Sequence, residues 1–176
     1  RRATIRRDDF TVQNWRGLTL ECTHWHPADD ENRAAGDDAG DEAGAARPCV
    51  LYIHGNASCR LEGVKVLATC LLLGASVCAI DCSGSGRSQG EYVSLGHYEQ
   101  FDVQACCDAL RARRGAARVG RLALWGRSMG AVSALLCASR LDPLLAAVVA
   151  DSPFCSLVTL CGDLLDRATS GAAGVL

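Results

Sequence analysis

The sequence lacks the features that mark membrane, secreted and nucleic-acid-binding proteins. No apolar run reaches the roughly 18 to 20 residues of a membrane-spanning helix. The stretch Val66–Leu73 is interrupted by Thr69, and we expect it to form part of one buried helix. Arg1–Asp9 is charged, and no apolar segment of a signal peptide follows it. A net charge of −2 offers no excess positive charge for nucleic acid.

Methionine is almost absent, and the cysteines follow no disulfide or metal pattern. Met129 is the only methionine, so no initiator is present and we interpret the chain as an excerpt of a longer protein. The eleven cysteines are odd in number, form no C-x-x-C pair and lie mostly in apolar runs. They are expected to act as small hydrophobic residues in a reducing compartment, which predicts a cytoplasmic protein without a metal site.

The 176 residues suit a single domain with three parts. Residues 1–27 carry β-branched and aromatic side chains around the turn Asn14–Gly17 and predict a β-hairpin. Residues 28–47 are mostly Ala, Gly, Asp and Glu, which predicts a flexible loop because nothing large and apolar can be buried. Residues 48–170 are expected to form a β-α core.

Short apolar strands alternate with helical segments throughout that core. The pattern predicts strands over 49–54, 76–81, 119–125 and 146–151, and helices over 60–73, 97–114, 128–140 and from 155 onward. Strands that are continuously apolar are typical of a parallel sheet covered on both faces. We therefore predict an α/β fold with a doubly wound, mostly parallel sheet.

Two segments match the G-x-S-x-G pattern of a serine nucleophile, around Ser128 and around Ser88. Ser128 lies between an apolar strand and a helix-forming segment, the strand–turn–helix context that such a nucleophile needs. There Gly126 and Gly130 would avoid collisions with the neighbouring strand and helix. Ser88 lies in a polar loop that no strand enters, so we favour Ser128 as the nucleophile, the alternative being a helix N-cap.

The loop that follows the first core strand reads His54-Gly55-Asn56. In a serine hydrolase one oxyanion donor is the N–H after the nucleophile, here Met129. The other comes from such a loop, here the N–H of Asn56 or Ala57. His54 is expected to hydrogen-bond locally and shape the loop rather than act as a base.

Four motifs together resemble the serine aminopeptidase-like branch of the α/β-hydrolases. They are, in order, His54-Gly55-Asn56, Asp81-Cys82-Ser83-Gly84-Ser85-Gly86-Arg87-Ser88, Gly126-Arg127-Ser128-Met129-Gly130 and Asp151-Ser152-Pro153-Phe154. The resemblance implies a Ser-His-Asp hydrolase without a metal or organic cofactor, acting on an ester, thioester or amide of a small-molecule, peptide or acyl substrate. It also implies two further strands that carry the acid and the histidine.

The base of such a triad is missing from these residues, because all four histidines precede Ser128. Asp151 is the one well-placed candidate for the acid, although a hydrogen bond to the turn before Pro153 is the stronger expectation. Without further strands, the strand at 146–151 would be an exposed apolar edge, so we expect the 176 residues alone to be inactive and poorly stable.

Two functions therefore remain open. The first is a serine hydrolase whose acid and histidine follow Leu176. The second is a degenerate, non-catalytic protein of the same fold that binds a partner or small molecule. A nucleotide-binding domain is excluded, because the glycines after the strands match neither the dinucleotide nor the P-loop spacing.

Overall fold

The computed structural model describes residues 4–28, 46–113, 118–141 and 145–172 of the chain. The flexible loop expected over 28–47 lies almost entirely outside these residues. The described part contains six strands, β1 (Ile5–Gln13), β2 (Thr19–Pro27), β3 (Arg47–Ile53), β4 (Ser76–Ile80), β5 (Val119–Arg127) and β6 (Leu145–Asp151). It also contains a short 3₁₀ helix, Arg60–Gly63, and four α-helices, α1 (Val64–Leu72), α2 (Glu99–Ala112), α3 (Met129–Leu141) and α4 (Leu157–Ala172).

All six strands form one sheet in the order β1-β2-β4-β3-β5-β6. β3 pairs in parallel with β4 and with β5, and β5 pairs in parallel with β6. β1 and β2 form the antiparallel N-terminal hairpin, and β2 joins the sheet antiparallel to β4. The predicted α/β class, with a mostly parallel sheet and an N-terminal hairpin, is confirmed.

Helices cover both faces of the sheet, each through residues spaced three or four apart. On one face, α2 packs Val103, Cys106 and Leu110 against the strands, and α3 adds Ala134 and Cys137. On the other face, α1 contributes Val66 and Cys70 beside Trp25, Tyr52 and Val77. β4 lies between these layers and is buried at every position, as its uninterrupted apolar sequence predicts.

The expectation that Val66–Leu73 belongs to a buried helix is only half right. Val66 and Cys70 are buried against the sheet, but Leu72 is 89% exposed and Leu73 is 79% exposed. Residues 66 and 70 are one helical turn apart and share a face, whereas 72 points away from it. No described element covers that outer side, so α1 is buried along one stripe.

All eleven cysteines are free thiols. Cys106 and Cys107 are both fully buried on α2 but face different partners. The Cys106 Sγ lies 3.8 Å from Cys22 Sγ and 4.0 Å from Cys78 Sγ. Cys107 instead hydrogen-bonds Cys137, and this bond, together with burial, raises the pKa of the Cys107 thiol. Eight of the eleven thiols are buried as core side chains, as the sequence predicts for most of them, whereas Cys59 is half-buried and Cys155 and Cys161 are exposed.

The parallel strands place their carboxyl ends along one edge of the sheet. His54 follows β3, Asp81 follows β4, Ser128 follows β5 and Ser152 follows β6. Ile53 and Gly126 are partners in the β3–β5 ladder, so the segments that leave these two strands begin side by side. In open α/β sheets this edge is where ligands bind.

Candidate active site

Ser128 alone connects β5 to α3 and adopts a left-handed backbone conformation, with φ of 52°. A side chain at this conformation costs energy, so the surrounding structure must hold it in place. The Ser128 N–H donates to the Asp151 carbonyl at 2.8 Å, and the Ser128 carbonyl accepts the Val132 N–H at 3.1 Å. The end of β6 and the first turn of α3 therefore fix the serine in a sharp strand–turn–helix bend.

The two glycines of the motif are required by close backbone contacts. A Cβ at Gly126 would lie 2.1 Å from the Gly130 carbonyl oxygen. A Cβ at Gly130 would lie 2.2 Å from the carbonyl oxygen of Ile53 on β3. The expected collisions with the neighbouring helix and strand are confirmed, and they explain how the bend sits so close to the loop after β3.

The loop after β3 carries the second predicted oxyanion donor. The Ala57 N–H donates to the Asn56 side-chain oxygen at 2.9 Å and is therefore occupied. Asn56 is exposed, and its own N–H has no acceptor within the described part of the chain. The Met129 N–H lies in the first turn of α3, where backbone donors lack intrahelical acceptors. Of the two residues considered for the loop donor, Asn56 has the available N–H.

The other predicted residues have structural partners. The Ser88 hydroxyl donates to the Asp81 carbonyl at 2.6 Å and accepts the Glu21 N–H at 2.8 Å, so it ties its loop to β2. His54 is fully buried. Its Nε2 lies 3.1 Å from the Cys82 N–H, which it accepts, and its Nδ1 lies 2.7 Å from the Gly55 carbonyl. Both ring nitrogens are thus engaged by the backbone, as expected for a residue that shapes the loop.

Asp151 is exposed at the end of β6. Its carboxylate accepts the hydroxyl of Ser152 at 2.9 Å, and Ser152 itself has a left-handed φ of 54°. The hydrogen bond to the turn before Pro153 is therefore present. Asp151 contacts the serine turn through its backbone carbonyl rather than through its carboxylate.

A buried ion pair joins the loops after β3 and β4. The Asp81 carboxylate accepts the Arg60 N–H and pairs with the Arg60 guanidinium. It also accepts the Arg87 N–H at 2.9 Å. Because Arg60 begins the 3₁₀ helix, this pair fixes the segment between the Asn56 loop and α1.

Glu62 and Arg127 were not singled out by the sequence analysis. The Arg127 Nε lies 2.6 Å from Glu62 Oε1, and the other Glu62 oxygen accepts the Gly55 N–H at 3.3 Å. Nothing in the sequence distinguishes Glu62 from a solvated glutamate at a helix start. Arg127 could have been noticed, because its position beside Ser128 places it at the carboxyl edge of the sheet.

Neither a metal-binding cluster nor a membrane-spanning helix is found in the described part of the chain. Across residues 4–28, 46–113, 118–141 and 145–172, no three His, Cys, Asp or Glu side chains are grouped so as to hold a metal ion. None of the helices described is both long and apolar enough to cross a membrane.

Comparison with known proteins identifies the family and the fold. The family model described as "Serine aminopeptidase, S33" matches residues 44–172. Among solved structures, the esterase Pf2001 of Pyrococcus furiosus superposes with a TM-score of 0.65 at 24% identity, covering 85% of this chain and 53% of the esterase. The α/β hydrolase GrgF of Penicillium superposes with a TM-score of 0.65 at 18% identity, covering 96% of this chain and 54% of that one. The chain shares the α/β-hydrolase fold with these proteins.

Curated relatives include lysophosphatidylserine lipase ABHD12 of Gallus gallus, which is 30% identical over 160 residues. This match covers 85% of the present chain and 38% of the lipase. The Rattus norvegicus lipase of the same name is also 30% identical, and the match covers 36% of its length. The chain thus spans less than two fifths of the length of these relatives.

Proposed function

Because the chain belongs to the serine aminopeptidase S33 family of the α/β-hydrolases, we propose that it supplies the nucleophile and the oxyanion hole of a serine hydrolase. The observation that carries the proposal is the conformation of Ser128, a non-glycine residue held at φ 52° between a parallel strand and a helix. A strained position of this kind is what presents a nucleophilic hydroxyl clear of the sheet. A simple helix N-cap serine has an extended backbone and needs no such strain.

In this mechanism the Ser128 hydroxyl attacks the carbonyl carbon of the substrate, and its proton passes to a histidine. The backbone N–H groups of Met129 and Asn56 donate to the oxyanion that forms. The first turn of α3 supports this charge, since unpaired N–H groups and the helix dipole give its N-terminus a partial positive charge. The histidine then returns the proton to the leaving group, and water releases the acyl enzyme.

We expect the histidine and its orienting acid to come from residues after Leu176. None of the four histidines suits the role: His54 is enclosed by backbone contacts. His24 and His26 lie on β2, and His97 lies in the turn before α2. The Asp151 carboxylate bonds to Ser152, which supports a structural role for it.

Carboxylic esters are the first substrate class to test, followed by thioesters and amides. The relatives named as a lysophosphatidylserine lipase and as an esterase both favour an ester. The proposed compartment is the cytoplasm, since eleven free thiols persist most readily under reducing conditions.

A non-catalytic binding protein of the same fold is the second candidate. It is favoured by one observation, namely that no histidine follows Ser128 in the 176 residues. The two candidates differ in whether Ser128 reacts covalently.

The test is fluorophosphonate labelling of the protein translated from its native reading frame, including any residues after Leu176. We expect wild-type protein and Ser139→Ala to be labelled and Ser128→Ala to be unlabelled. Ser139 is a matched control because it is exposed on α3, the helix that Ser128 precedes, and bonds only the backbone of that helix. Absence of labelling in well-folded wild-type protein would favour the binding function instead.

A further inference from the structure

We propose that Glu62 is a positioning residue that clamps the loop carrying Asn56 to the turn carrying Ser128. The inference rests on the proposed function and extends it, because it names a group that holds the two halves of the oxyanion hole in register without touching the substrate.

Glu62 contacts the residue that precedes Asn56 and the residue that precedes Ser128. One oxygen accepts the N–H of Gly55, which directly precedes Asn56, at 3.3 Å. The other lies 2.6 Å from the Nε of Arg127, which directly precedes Ser128. A single carboxylate, with a side chain only 3% exposed, therefore bridges the two loops that carry the proposed donors and nucleophile.

Gly55 leaves space for the Arg127 guanidinium beside the bridge. A Cβ at Gly55 would lie 2.9 Å from a guanidinium nitrogen of Arg127 and 3.3 Å from its carbonyl oxygen. The absence of a side chain at Gly55 lets the guanidinium lie across the loop.

The charge of Glu62 is maintained by its surroundings. Burial would raise the pKa of its carboxyl group, but hydrogen bonds from Arg127, Lys65, Ser58 and the Gly55 N–H outweigh burial and lower the pKa to about 2. The group is therefore ionised throughout the neutral range. It acts as a fixed acceptor and not as an acid or base in the reaction.

Fixed donors are valuable because an oxyanion hole works by preorganisation. A loop that shifts by about an ångström can slow a reaction by about 100-fold. Loss of the clamp should therefore lower kcat while KM changes little, since Glu62 itself makes no contact with substrate.

The experiment compares Glu62→Gln with Glu91→Gln in the full protein, with kcat expressed per serine titrated by fluorophosphonate. Glutamine keeps the size of Glu62 but turns an N–H₂ group toward Arg127 or Gly55. Glu91 is an exposed glutamate outside the bridge and serves as the matched control. We expect kcat per titrated site to fall about 10- to 100-fold in Glu62→Gln, and to stay near the wild-type value in Glu91→Gln.

A double variant separates positioning from general stabilisation. Glu62→Gln combined with Arg127→Gln should be no slower than the worse single variant, because both changes break the same bridge. If Glu62→Gln only lowers the amount of titratable enzyme, with kcat per site unchanged, or if the two effects multiply, the positioning role is overturned.

Hydrogen exchange tests the clamp without any use of activity. The amides of residues 54–58 should exchange faster in Glu62→Gln than in wild-type protein or Glu91→Gln. Unchanged exchange in this segment would overturn the clamp. Faster exchange in a protein whose Ser128 never reacts with fluorophosphonate would uphold the clamp and overturn the proposed hydrolase.

Discussion

At the scale of single residues, three of the four left-handed non-glycine residues lie where parallel strands end, the fourth being Leu95 in the loop before α2. Ala57, Ser128 and Ser152 have φ of 56°, 52° and 54°, and they follow β3, β5 and β6. Each left-handed non-glycine residue costs about 1 to 2 kcal/mol. Folds tolerate such strain where function requires a particular backbone conformation. These three residues all lie along the edge of the sheet that holds the proposed nucleophile.

His24 shows a different residue-scale cost, that of a buried titratable group. The ring is 1% exposed, its Nε2 lies 3.0 Å from the Ser76 hydroxyl, and its Nδ1 has no partner in the described structure. Burial, with smaller contributions from the charges of Arg113 and His26, lowers the pKa of His24 from 6.5 to about 3. The folded protein therefore keeps this ring neutral.

Stability should consequently fall on mild acidification. Unfolded chains bind a proton at His24 near pH 6.5, whereas the folded protein binds it only near about pH 3. The contribution of neutral His24 is complete above pH 6.5 and is lost as the pH falls toward 3. At about pH 5 the loss is about 2 kcal/mol, and urea unfolding measured from about pH 7 to pH 5 should reveal it.

The control for this prediction is chosen from the same residue type. His24→Gln should flatten the dependence of unfolding free energy on pH, whereas His97→Gln, at an exposed histidine, should leave it as in the wild type. If the unfolding free energy of His24→Gln depends on pH as steeply as that of the wild type, protonation of His24 is not the main cause of the pH dependence.

At the scale of elements, the bend from β5 to α3 depends on glycine at two fixed places. Gly130→Ala should destabilise the protein by about 1 to 3 kcal/mol, because its Cβ would meet the backbone oxygens of Ile53 and His54 at 2.2 and 2.6 Å. Labelling of Ser128 should fall with it. Urea unfolding and fluorophosphonate labelling measure the two effects.

Gly162→Ala provides the opposite case within a helix. Gly162 lies inside α4, and a Cβ added there would meet nothing within 4 Å. Alanine at this position should stabilise the protein by about 0.5 to 1 kcal/mol through helix propensity. Equal urea midpoints for Gly130→Ala and wild-type protein would contradict the steric account of the bend.

Much of the element level could be predicted from the sequence, for definable reasons. The apolar strands and the alternation with helices indicated the parallel sheet, and α2 was predicted over 97–114 against Glu99–Ala112. The exposed outer side of α1 could not be predicted, because a continuous apolar run does not reveal which side lacks a cover. The Glu62 bridge was equally hidden, since its partners Gly55 and Arg127 are brought to it only by the pairing of β3 with β5.

At the scale of the whole molecule, the two edge strands of the sheet, β1 and β6, differ in charge. β1 carries the adjacent charges Arg6, Arg7, Asp8 and Asp9, which discourage pairing with another chain. β6 reads LAAVVAD, without a charge before Asp151, and Val149 is 43% exposed. No described strand pairs with the outer side of β6.

The 176-residue chain expressed alone should therefore self-associate through β6. Val149→Lys should shift it toward the monomer, because a lysine on an edge strand opposes strand addition. Val64→Lys, at an exposed valine that begins α1, should not do so. Light scattering after size exclusion measures the distribution, and equal association of both variants would exclude the β6 edge as the contact.

Lys65, one of the four groups that hydrogen-bond the Glu62 carboxylate, has a consequence for labelling chemistry. It is the sole lysine of the sequence, its side chain is 71% exposed, and its Nζ lies 3.0 Å from Glu62 Oε1. An amine-directed dye or cross-linker therefore has a single side-chain target in these 176 residues, one helical turn from the bridge. A fluorophore attached there would report on the Asn56 loop from a defined position, without the introduction of any new reactive residue.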